Sequence, residues 1–171
     1  AAVVLDNVAV ITRPGAPSRQ PETASVEAAL ATHRPLVHVR APATLDGGDV
    51  LVAGRTIYIG LSTRTSREAI QQLADQLAPF GYDVIPLAFT GCLHLKSAVT
   101  ALPDGTLLAL PDRIDTSVLP AVHAVDEEAG CHVVPLGDDQ LLIAASAPST
   151  AAWLSSLGWS PVVVDISEYE K

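Results

Sequence analysis

One pattern recurs along this chain and leaves few folds open to it. Two short apolar runs flank a turn signal, a helix-like stretch follows, and a third apolar run closes the unit. In the first unit Val3–Leu5 and Val8–Thr12 flank Asp6-Asn7, an amphipathic stretch covers about Pro21–His33, and Pro35–Arg40 closes it. The second has Val50–Ala53 and Thr56–Ile59 around Gly54-Arg55, a helix over Ser66–Leu77, then Tyr82–Leu87. The third places Ser97–Leu102 and Thr106–Leu110 around Pro103-Asp104-Gly105, a shorter helix near Thr116–Leu119, and Val122–Val125. The fourth has His132–Leu136 and Gln140–Ala144 around Gly137-Asp138-Asp139, a helix over Pro148–Leu157, and Pro161–Ile166. Tight polar turns join antiparallel strands, whereas returning a parallel strand takes a crossover. The repeated unit is therefore ββαβ. The second helix is the clearest, with Ile70, Leu73, Ala74 and Leu77 on one face at helical spacing. Outer strand edges left open invite association, so such repeats are expected to close or be capped.

Composition narrows the function. There are 10 Lys+Arg against 19 Asp+Glu, a net charge of -9, and no basic run of the kind phosphate binding needs. The balance suits a cationic partner or substrate instead. No apolar stretch reaches the roughly 18 residues of a membrane helix, and Asp6-Asn7 interrupts the start, so neither a span nor a signal peptide is expected. Two cysteines, Cys92 and Cys131, are too few for a disulfide framework and fit a reducing compartment, with cytoplasm as the default. Neither Cys92 with His94 nor Cys131 with His132 completes a zinc set. Nucleotide, P-loop, nucleophile-elbow and zincin motifs are lacking, so no cofactor and no metal is expected. There is no Met, and an apolar run begins at Ala1, which fits either removal of an initiator Met or a piece of a longer chain.

Three segments are rich in polar groups placed for chemistry. In Thr44-Leu45-Asp46-Gly47-Gly48-Asp49 two carboxylates flank a Gly pair; a tight turn with Asp bonded to its own backbone is the plain alternative. Gly91-Cys92-Leu93-His94-Leu95-Lys96-Ser97 sets His94 between leucines, either as a half-buried strand residue or as an acid/base. Gly60-Leu61-Ser62-Thr63-Arg64-Thr65-Ser66 sets Arg64 between a strand and a helix that Ser62, Thr65 or Ser66 would cap, making Arg64 a solvated charge or an anion clamp. Together a carboxylate-oriented histidine and a carboxylate-binding arginine would suit a small zwitterionic substrate.

The run from Leu45 to Ser66, LHLKS from Leu93 to Ser97, ITRPGAPSR from Ile11 to Arg19 and the closing VVVDISEYEK resemble the dimethylarginine dimethylaminohydrolase family of the guanidine-modifying superfamily. The resemblance runs in unbroken order over essentially the whole chain. It implies a pentein-type α/β propeller of ββαβ units, four present here and a fifth assembled from both termini, so that residues 1–171 form one incomplete catalytic domain. It also implies His94 as the catalytic acid/base and Asp46 as the residue orienting it, with Arg19 and Arg64 holding the substrate's amino-acid end. The implied reaction hydrolyses a methylated arginine to citrulline through a covalent cysteine thiouronium. Two departures follow from the same resemblance: the nucleophilic cysteine is expected after Lys171, and an Glu-Asp pair that grips the guanidinium before Ala1. Cys92 and Cys131 are expected to be small core residues instead. The alternatives are an arginine deiminase or amidinotransferase of the same superfamily, or a truncated guanidine-binding protein without catalysis. The expected partner is a small guanidino molecule, with no nucleic acid and no membrane; no motif sets an oligomeric state.

Overall fold

Each turn signal closes a hairpin. The computed structural model describes residues 1–170 and contains four three-stranded sheets, each built from one unit. In the first, β1 (Ala2–Val4) pairs antiparallel with β2 (Ala9–Ile11), and after α1 (Glu22–Leu30) the strand β3 (Leu36–His38) pairs parallel with β2. The second has β4 (Val50–Ala53), β5 (Thr56–Gly60), α2 (Arg67–Leu77) and β6 (Asp83–Leu87) in the same arrangement. The third has β7 (Val99–Ala101), β8 (Leu107–Ala109) and β9 (Val122–Ala124). The fourth has β10 (Val134–Gly137), β11 (Gln140–Ala144), α3 (Pro148–Ser156) and β12 (Ser160–Val164). In every sheet the second strand is central. The turn of the second hairpin uses Gly54 at φ +60, where a side chain would be strained.

By contacts the chain divides into two compact units, Ala1–Phe89 and residues 90 onward. The core of the first gathers Val8, Val10, Leu45, Ile57, Ile59, Leu73 and Leu77, all at 0 to 1% exposure. That of the second centres on Leu108, Leu141, Ile143 and Leu154, at 0 to 1%. Burying a side chain of this size stabilises by about 1.5–3 kcal/mol. Helix α2 buries Ala69, Ile70, Leu73 and Leu77, while Ala74 is only half-buried. Its N-cap is Ser66, whose hydroxyl accepts the Ala69 N–H at 3.3 Å. Among the described residues no helix is long and apolar enough to cross a membrane.

The structure departs from the sequence expectation in the first helix. Helix α1 buries none of its residues, because ETASVEAAL spreads small alanines around the axis instead of stacking large apolar groups on one side. The shorter helix expected near Thr116–Leu119 is present as a single 3₁₀ turn, Thr116–Val118, capped by the Asp115 side chain.

The outer strand β3 is guarded by glutamines. Gln76 accepts from the His38 N–H at 3.1 Å and donates to the His38 carbonyl at 3.2 Å; Gln72 does the same for Arg40 at 2.8 and 3.1 Å. Four residues advance a helix by about 6 Å and two advance a strand by about 6.6 Å, so this spacing lets one amide meet every second strand residue. Residues 38 and 40 are those whose peptide groups face away from β2, to which Val39 donates instead.

Candidate active site

Three loops of the first compact unit, Ala1–Phe89, meet around two buried carboxylates. Asp46, at 4% exposure, accepts the Gly15 N–H on Oδ1 at 2.9 Å and faces the Arg64 guanidinium on Oδ2 at 3.7 Å. That second separation is an ion pair rather than a hydrogen bond. The Asp46 N–H donates to the Thr65 hydroxyl at 3.1 Å. Asp49 is fully buried and accepts from Ser62 Oγ at 2.7 Å and Thr65 Oγ1 at 2.6 Å, distances of charge-assisted bonds. Ser62 Oγ in turn accepts the Arg64 and Thr65 N–H groups at 3.0 and 3.1 Å. Asp49 thus braces the turn that presents Arg64. Gly15 completes the junction: a Cβ there would stand 2.6 Å from Arg64 Cα and 2.7 Å from the Arg64 carbonyl oxygen.

Of the hydroxyls proposed as caps for α2, only Ser66 caps it; Ser62 and Thr65 serve Asp49. Asp46 unites the Gly15 and Arg64 loops, a task its place in LDGGD did not reveal. Sequence reasoning missed Asp49 as a brace, although the paired carboxylates were the available signal. Arg19 ends the 3₁₀ turn Pro17–Arg19 and is exposed, binding Glu22 through two 3.1 Å bonds. The hydrogen bond to Glu22 holds its pKa above the ordinary arginine value, with a lesser attraction from Asp46.

His94 lies in the second compact unit, residues 90 onward. It is half-buried, with extended backbone (φ -136, ψ 153), and is not on a strand. The expected strand starts later, because Leu95–Ser97 forms a 3₁₀ turn that carries Leu95 and Ala98, both 0% exposed, inward together. Residues 91–94 are bends rather than strand, so the alternation expected to put Cys92 and His94 on one strand face does not arise. Cys131 is a core residue as expected, at 1% exposure, with burial pushing its thiol up to about 12. Cys92 is half-buried rather than core, its sulfur 3.3 Å from the His94 carbonyl oxygen.

Residues 8–89 match the family model described as arginine deiminase. An N(G),N(G)-dimethylarginine dimethylaminohydrolase of Streptomyces coelicolor is 53% identical over 100% of this chain and 67% of its own length. The enzyme of that name from Pseudomonas aeruginosa is 31% identical over 95% of this chain and 66% of its own length. The chain therefore spans about two thirds of the relatives it matches. A solved structure of the Pseudomonas aeruginosa protein, a cysteine-to-serine mutant complexed with citrulline, superposes with a TM-score of 0.88 at 28% identity, covering 99% of this chain and 69% of that one. Four ββαβ-type units in order are thus the pentein architecture expected above. Identity of 53% over the whole chain, with two thirds of the relative's length covered, places the chain in the dimethylarginine dimethylaminohydrolase family, a family of hydrolases acting on guanidino C–N bonds.

Proposed function

We propose that this protein contributes most of the catalytic domain of an enzyme that hydrolyses Nω-methylated arginine to citrulline and a methylamine. The observation that carries the reading is the braced Asp46–Arg64 junction within a chain 53% identical to a hydrolase of that name. Arg64, presented by the Asp49 turn, and Arg19, ahead of α1, hold the substrate's amino-acid end; a planar guanidinium fork fits a carboxylate in two-point contact. Their partners, Asp46 and Glu22, keep both cations oriented before substrate arrives.

The nucleophile in this reading is a cysteine thiolate of the full-length enzyme that lies outside residues 1–171. It attacks the guanidinium carbon, the C–N bond to the methylamine breaks, and His94 as imidazolium gives its proton to the departing nitrogen. His94, now neutral, takes a proton from water as that water attacks the thiouronium carbon. The C–S bond then breaks and citrulline leaves with the thiolate restored. Asp46 stabilises the charged imidazole in this scheme, a carboxylate role that fixes tautomer and charge.

Citrulline release by the full-length enzyme tests the proposal, with dimethylarginine, monomethylarginine and arginine as competing substrates. The methylated substrates are expected to be preferred, and His94→Ala is expected to lower kcat by about 10²–10⁴-fold. Preference for unmethylated arginine would establish a deiminase instead, and substrate binding without turnover would establish a binding protein.

A further inference from the structure

His94 is suspended on a loop whose two ends return to one short turn. On the far side, the Leu110 N–H donates to the Ala98 carbonyl at 2.9 Å, just past the 3₁₀ turn that follows His94. On the near side, the Arg113 carbonyl accepts the Thr90 N–H at 2.9 Å, and Arg113 Nη1 donates to the Gly91 carbonyl. The Arg113 N–H closes the bracket by donating to the Leu110 carbonyl at 3.0 Å. Buried Leu110 and Ile114, at 6% and 5% exposure, root the bracket in the core.

Arg113 itself is held. Its Nε lies 3.4 Å from Asp112 and its Nη2 3.8 Å from Glu128, leaving the side chain 25% exposed. The chain accommodates it at a residue that only glycine suits: Gly91 has φ +70, and a Cβ there would stand 3.0 to 3.3 Å from Arg113 Cδ, Nη1 and Nε. A side chain whose charge is balanced by carboxylates, yet whose fork is turned onto a main-chain carbonyl three residues before a histidine, does more than decorate the surface.

We propose that Arg113 is a positioning residue for His94, gripping Thr90 and Gly91 so that the span from Cys92 to His94 is fixed at both ends. The inference rests on the assignment of His94 as acid/base. Loosening one end would displace the imidazole from the leaving nitrogen, and a misplacement of about 1 Å is enough to cost on the order of 10²-fold in rate. Substrate binding would be spared, since Arg19 and Arg64 stand on other loops.

Steady-state kinetics of the full-length enzyme on dimethylarginine decide it. Arg113→Ala is expected to lower kcat about 10- to 100-fold with KM within about 3-fold of the parent. Arg113→Lys, which keeps one donor and the charge, is expected to recover most of the lost kcat. A kcat within twofold of the parent in Arg113→Ala overturns the proposal, and so does a loss shared by kcat and KM that lysine does not restore. Should Arg113→Ala fail to fold, Gly91→Ala carries the test: its Cβ must displace the Arg113 side chain and lower kcat at steady KM, and an unchanged kcat overturns the proposal. Undiminished turnover by His94→Ala would instead remove the acid/base assignment beneath it.

Discussion

Asp49 is the residue whose removal should be felt furthest from where it sits. It is fully buried and receives two hydroxyl bonds at 2.6 and 2.7 Å, from Thr65 and Ser62. Replacing it with asparagine keeps the volume and one acceptor oxygen but removes the charge. Each bond then falls from the charge-assisted range of about 1.5–3 kcal/mol to about 1 kcal/mol. The two together lose about 2 kcal/mol, which for a domain of this size lowers the melting temperature by about 4–8 °C. Thermal unfolding followed by circular dichroism measures this directly. A second consequence is kinetic: Ser62 Oγ organises the Arg64 and Thr65 N–H groups, so the Arg64 fork loses its aim and KM should rise by about 3- to 10-fold. Thr65→Val in the Asp49→Asn background should add less than it does in the parent, since both act on one network. A melting temperature within a degree of the parent together with an unchanged KM would refute the reasoning.

Three further outcomes follow from the same kind of contact. Gly15→Ala must push the Arg64 backbone aside, since the new methyl falls 2.6 Å from its Cα; a loss of about 1–3 kcal/mol is expected by denaturant unfolding, with KM raised about 10-fold. Glu127 caps α3 by accepting the Ser149 and Thr150 N–H groups at 2.9 and 2.8 Å and the Thr150 hydroxyl at 2.7 Å. Burial alone would raise its pKa, but these bonds outweigh it and leave the carboxyl below its ordinary 4.5. Its contribution is therefore fully present above about pH 4.5 and lost as pH falls through the lower folded value. Glu127→Gln should be less stable at pH 7 by about 1 kcal/mol and show a flatter decline between pH 6 and 3; a parallel decline would argue against the cap. Gln72→Ala and Gln76→Ala should each destabilise by about 1–2 kcal/mol, because each leaves a strand N–H and carbonyl without its amide partner. Equal melting of the double variant and the parent would contradict this.

The repeat was legible because alternation and turn residues are local, and all four hairpins stand where Asn7, Gly54, Asp104 and Asp138 announce them. Helix α2 was legible for the same reason: its large apolar residues recur at helical spacing. Helix α1 was misjudged as amphipathic because apolar content over Pro21–His33 was read without regard to side-chain size. In the site, Asp46 and Arg64 stood out by residue type, yet what joins them did not. The Gly15 to Asp46 bond spans 31 residues and the Thr65 to Asp49 bond 16, and no local periodicity reports such pairs. The bracket on His94 was hidden for the same reason, with Arg113 and Gly91 22 residues apart.

Each sheet being complete with three strands has a consequence for how this chain can change over time. Among the described residues, no ladder of main-chain hydrogen bonds runs from one repeat into the next, so a residue gained or lost within one repeat leaves the pleat of its neighbours in phase. The third repeat illustrates this freedom: its crossover carries a single 3₁₀ turn, yet β8 and β9 pair in parallel from Leu107 with Val122 to Ala109 with Ala124. The ties that Gln72 and Gln76 make between the first two repeats come from side chains, which one point mutation can release or restore. Repeats joined in this way can diverge in length one at a time, and the loops between them are free to acquire chemistry without renegotiating the frame.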